Sequence, residues 1–133
     1  MRTWTTLTLL VMLHGCGRPW DIVDANSPVE EMLLHETDRF ASTLHVRVNG
    51  EITDTFYGGD SWVATGWYSR GVAYYYRPEV ERNVSIEPKA GRETATNIAA
   101  HEVAHAISPF HDCKHWTLCA SIATPTYPSP CKE

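Results

Sequence analysis

The chain has no cluster of Lys and Arg longer than a pair, and its formal net charge is −5. Nucleic-acid recognition needs a basic patch or stripe, so that class of partner is excluded. There is no stretch of about 20 apolar residues either, which excludes a membrane-spanning helix. Internal repeats and low-complexity segments are absent. What is present suits a globular protein, since 43% hydrophobic and 20% charged residues rule out a disordered chain. With 133 residues there is material for one domain and not for two. A domain of that size buries about two-thirds of its unfolded surface and can hold a core.

The N-terminus carries Arg2, an apolar run from Leu7 to Leu13, and small residues before Cys16. That order describes an export signal. Leu13-His14-Gly15-Cys16 resembles the lipobox of bacterial lipoproteins, in which the Cys is lipidated and becomes the mature first residue. The resemblance implies a signal peptide over residues 1–15 and an acyl anchor on Cys16. Such an anchor holds a domain to a membrane surface without spanning it, on the periplasmic or cell-surface side. An ordinary cleaved signal would give export without the anchor. GRPWDIVDANSP has a Gly, two Pro and no clear period, so residues 16–27 read as a tether and 28–133 as the domain.

Ser27-Pro28-Val29-Glu30 is a capping box with Pro at the first helical position. Met32, Leu33, Leu34, Phe40 and Ala41 then line one face of a helix to about residue 42, with His35 at or near its surface. From Leu44 the period becomes two. Leu44, Val46 and Val48 alternate with His45, Arg47 and Asn49, predicting a strand with His45 on the polar face. Asn49-Gly50 predicts a hairpin turn into EITDTF. YGGDSWVATGWYSRG reads as loop with room for a short strand, and GVAYYYRP and RNVSIEP as two more strands. The Tyr74-Tyr75-Tyr76 run fills sheet surface. A further helix follows, capped by Thr94 or Thr96, with Ala99, Ala100, Val103, Ala106 and Ile107 facing the core.

That last helix carries HEVAHAISPFH, residues 101–111. His101 and His105 are four apart, so one helical turn stacks them about 5–6 Å apart at Cβ. Two neutral imidazoles so placed reach one Zn²⁺ at about 2.0–2.1 Å. Glu102 points to the side and suits a general base acting on a zinc-activated water. Pro109 stops the helix at Ser108, and His111 can approach the metal from beyond it. Three nitrogen ligands leave an open position, as in catalytic rather than structural zinc sites.

HEVAHAISPFH resembles the HExxHxxGxxH signature of the metzincin clan of zinc peptidases, and HDCKHWTLCAS resembles archaemetzincins in its cysteines. The resemblance implies His101, His105 and His111 as zinc ligands, Glu102 as catalytic base, and a peptide or protein substrate. It implies an α+β, zincin-like fold: an N-terminal helix, a small mixed sheet, an active-site helix and a minimal C-terminal subdomain. A Tyr beyond the methionine turn steadies the oxyanion in some of these enzymes, and Tyr127 is the candidate. GVAYYYRP is the candidate edge strand for an extended substrate. Three departures stand out: Ser108 replaces the clan's Gly, Asp112 separates His111 from Cys113, and no Met follows Met32. Ile122 is the candidate for the apolar floor that the methionine would supply.

With Cys16 acylated, Cys113, Cys119 and Cys131 remain, an odd number. One disulfide and one thiol account for them, either Cys113–Cys119 behind the third ligand or Cys119–Cys131 on the tail. Archaemetzincins carry a second zinc on cysteines, so the other expectation is a structural zinc on Cys113, His115, Cys119 and Cys131. A gluzincin-like site would need a downstream Glu ligand, and only the terminal Glu133 follows Glu102. The remaining alternative is a non-catalytic lipoprotein that uses the HExxH zinc for binding or stability.

Overall fold

In the computed structural model, residues 21–55, 65–89 and 93–123 are described. The signal segment, Cys16, Tyr127 and Cys131 lie outside the described residues. The chain is a small α+β fold with helices packed on a mixed sheet.

The capping box forms. Helix α1, Pro28–Leu44, starts at Ser27, whose Oγ accepts the Glu30 amide at 3.2 Å. Glu30 Oε1 accepts the amide of Asn26 at 2.9 Å, one residue before the cap. Leu33, Thr37, Phe40 and Ala41 form the buried stripe at helical spacing, and His35 is exposed. The stripe runs on to Leu44, so the strand predicted from that residue is instead the last turn of α1. His45 ends the helix in the left-handed conformation, φ 56°, and it is exposed.

Strand β2, Asn49–Thr53, begins where a hairpin turn was expected. Gly50 serves close approach here, since a Cβ would come 2.9 Å from Leu34 Cδ2 and 3.3 Å from Thr37 Cβ. The tight hairpin lies further on, between β3, Gly66–Ser69, and β4, Val72–Tyr76. Arg70 and Gly71 form its two-residue loop with φ 49° and 82°, the positive values that a type I′ turn requires. With β1 at Ile22–Val23, the sheet order is β1-β2-β4-β3, with β2 and β4 parallel and the other pairs antiparallel. Strand β4 is therefore interior, and among the described strands the edge expected of GVAYYYRP belongs to β3 on one side and β1 on the other. Strand β1, Ile22–Val23, falls within the expected tether and pairs with β2, so the folded unit includes those residues.

Helix α2, Arg77–Asn83, entered through Pro78 in its first turn, takes the first two residues of the strand expected in RNVSIEP. Only β5, Val84–Ser85, is extended there, parallel to β6, Glu93–Thr94. This pairing positions Thr94, whose side chain accepts the Asn97 amide and caps helix α3, Ala95–Ala104. The core joins Leu33 and Phe40 of α1, Ile52 and Tyr75 of the sheet, and Ala99, Ala100 and Val103 of α3. Small alanines let α3 lie close on α1. Thr96 Oγ1 ties the two by donating to Glu36 at 2.9 Å.

Glu30 is fully buried and takes two bonds from Arg77, at 2.7 and 2.9 Å, while Arg77 also donates to Asp24 O at 2.6 Å. Burial pushes the Glu30 carboxyl up, but Arg77 and the Asn26 amide outweigh it and hold it below the ordinary carboxylate value. Arg77→Met leaves this carboxylate buried without its partner, and is expected to cost about 3–5 kcal/mol in urea unfolding.

Candidate metal centre

Helix α3 and its C-cap residue place His101 and His105 on one face, one turn apart, with ring centroids 4.8 Å apart. The chain then tightens. Residues 105–107 make i→i−3 bonds to Glu102, Val103 and Ala104, and Ser108 N–H reaches Ala104 O at 2.9 Å. Ser108 makes the turn without a positive φ, so the clan's Gly is not needed for it. Its carbonyl accepts the Nδ1 proton of His105 at 3.1 Å. That bond fixes the tautomer and leaves the His105 Nε2 lone pair for a metal.

His111 arrives from beyond the turn. Its Nε2 lies 3.1 Å from Nε2 of His105 and 3.3 Å from Nε2 of His101, and the remaining edge of the triangle is 3.3 Å. Tetrahedral coordination at about 2.0–2.1 Å requires ligand nitrogens about 3.3–3.4 Å apart. The residues present are therefore compatible with a metal ion at the face of the triangle. Burial, followed by the neighbouring imidazoles, pushes His101 down to about 3. His105 is also lowered, chiefly by burial. Neutral imidazoles are the form that binds metal.

Asp112, an interruption in the expected pattern, is an N-cap. Its side chain accepts the His115 amide at 3.1 Å and starts helix α4, Cys113–Ile122, which sequence reading missed. Asp112 followed by a run that continues to Ile122 is the signal that would have revealed it. Helix α4 brings His115 to the site, stacked on His105 with centroids 4.1 Å apart. Trp116 stacks over His111 with centroids 5.7 Å apart and planes at 20°. The ligand atoms of His101, His105, His111 and His115 together lie within 4.8 Å, a looser set than the triangle. Ile122 is partly buried against the core.

The cysteines depart from expectation. Cys113 is disulfide-bonded, whereas Cys119 is buried and carries a thiol 3.4 Å from His115 Nε2. The Cys113–Cys119 staple is therefore not formed. A disulfide sulfur offers no thiolate, so Cys113 is also removed from the expected Cys113, His115, Cys119, Cys131 zinc set.

Glu102 is 6% exposed, on the side of α3 that meets the sheet. A Cβ at Gly66 would approach its Oε2 to 3.4 Å and Tyr74 O to 3.1 Å, so glycine on β3 leaves the carboxyl its space. Burial, and then Glu93, push this carboxyl up to about 8. The metal-free chain consequently carries opposed titrations. His101 at about 3 and His115 at about 4 remain neutral in the fold but protonate near 6.5 when unfolded, so stability falls as pH drops below 6.5. Glu102 keeps its proton in the fold up to about 8 but loses it near 4.5 when unfolded, so stability also falls as pH rises towards 8. Between 4.5 and 6.5 the two histidines outweigh the single carboxyl. Thermal melts with chelator present are expected to peak near pH 6.5.

Among the described residues no helix is long and apolar enough to cross a membrane. No family model matches the chain, and neither a curated protein nor a solved structure is significantly similar to it.

Proposed function

We propose that the chain is a zinc-dependent endopeptidase of the metzincin type. The observation that carries this reading is the triangle of Nε2 atoms on His101, His105 and His111, edged for tetrahedral zinc and adjoined in sequence by Glu102. His101, His105 and His111 would hold the zinc, which would supply Lewis acidity and water activation when bound. With the positive charge of a bound zinc favouring its ionised form, Glu102 would take the proton of the attacking water and hand it to the leaving amine. His105 is held for its task by Ser108 O, and Trp116 braces the exposed His111 ring. Strand β3, outermost among the described strands and packed on α3, is the strand beside which an extended peptide would dock. Tyr127 remains the candidate for oxyanion support.

The disulfide at Cys113 supports a location in an oxidising compartment. With it goes the export signal of residues 1–15 and a membrane-surface anchor through Cys16.

A second reading, a non-catalytic zinc-binding module, is favoured by the burial of Glu102 at 6% exposure, which restricts water at the carboxylate. Hydrolysis of an internally quenched peptide by the zinc-loaded chain, compared with its Glu102→Gln variant, separates the two.

A further inference from the structure

We propose that His115 is a positioning residue of the zinc centre, accepting the Nδ1 proton of His101 and holding that ring with its Nε2 lone pair in the triangle. The proposal rests on the zinc-site reading above and extends it to a residue on a different helix.

A neutral imidazole has one N–H and one lone pair. If His101 offers Nε2 to a metal, its proton sits on Nδ1 and needs an acceptor. Nε2 of His115 is 3.2 Å from that Nδ1. Its lone pair therefore faces His101, and the proton of His115 lies on its own Nδ1. Ser108 O does the same for His105 at 3.1 Å, so two of the three triangle rings have an acceptor behind them.

The support is itself held. His115 is fully buried, its ring is stacked on His105 at 15°, and Cys119, one turn on along α4, packs its Sγ 3.4 Å from Nε2 while its thiol is directed at Ala100 O. Its Nδ1 makes no well-formed hydrogen bond among the described residues, although the Ser108 carbonyl is near enough to oppose the downward pull of burial on the ring. A fourth-ligand role fits less well. His115 joins the ligand set only within 4.8 Å, and an Nε2 that accepts from His101 has no lone pair left for a metal.

The test uses zinc competition against a chromophoric chelator, with the Co²⁺ absorption spectrum as a report on coordination. Wild type, His115→Leu and His115→Gln are compared. Loss of a partner behind a ligand costs about 10–100-fold in affinity, and that is the expected weakening in His115→Leu. The Gln oxygen takes the place of Nε2 as acceptor, so His115→Gln should recover most of it. The Co²⁺ spectrum should stay that of three nitrogens in all three proteins. Should His115→Leu fail to fold, His115→Asn, whose oxygen is too short to reach, replaces it. Affinity within twofold of wild type in His115→Leu overturns the proposal. A changed Co²⁺ spectrum without rescue by Gln makes His115 a ligand and also overturns it. No zinc in the wild type removes the zinc-site reading itself, and with it this extension.

Discussion

Glu102→Gln is expected to lower the proposed peptide hydrolysis by about 10²–10⁴, the range that a positioned proton-transfer group contributes. Gln fills the same buried volume beside Gly66, so the packing of β3 on α3 is kept. It cannot accept a proton. The metal triangle is built from imidazoles alone, so the variant should still hold one zinc per chain. Stability points the other way. The wild-type carboxyl must ionise in a buried position above about 8, a cost that the neutral amide avoids. The metal-free variant is therefore expected to melt at a higher temperature than wild type at pH 9. Rate, zinc content and melting temperature together assign the role. A variant that turns over like wild type refutes the general base. One that loses zinc makes Glu102 a ligand. Absence of turnover in both proteins leaves the binding-module reading.

The parts of this centre that were legible in sequence follow from local geometry. HExxH stacks two histidines because a helix repeats near four residues, and Thr94 and Ser27 announce helix starts through a side-chain oxygen and its spacing. What was hidden depends on residues that serve two purposes. Gly50 after Asn49 is a turn signal, yet here the glycine admits Leu34 and Thr37 of α1 against a strand. Val46 and Val48 alternate like a strand, but β2 starts only at Asn49, and pairing with β4 rather than spacing decides that. Arg77-Pro78 begins a short helix because Pro suits a first turn as well as it breaks a strand. Helix α4 was obscured by its cysteines, which drew attention to bridges and a second metal. Its His115 and Cys119 lie one turn apart on one buried face, with His115 against His101 and Cys119 against His115.

His111→Ala gives the larger effect on metal, and it does so with the least disturbance of the fold. His111 is exposed, so its removal from the metal-free chain should change stability by no more than about 0.5 kcal/mol. His101 and His105 lie on a helix whose other face is the core, and substitutions there confound metal loss with packing. Removing His111 takes away one corner of the triangle and leaves two imidazoles, 3.3 Å apart, to hold the ion. Zinc affinity should then fall by more than the about 10–100-fold expected for His115→Leu, because a ligand is lost and not its support. His35→Ala and His45→Ala, both at exposed positions away from the triangle, should leave zinc binding unchanged. The ranking is the argument: His111 above His115, and both above the surface histidines. If His115→Leu proves the more damaging of the two, the third corner belongs to α4. His111 would then be a rim residue under Trp116, and the HExxHxxxxxH reading would give way to a site built from α3 and α4 alone.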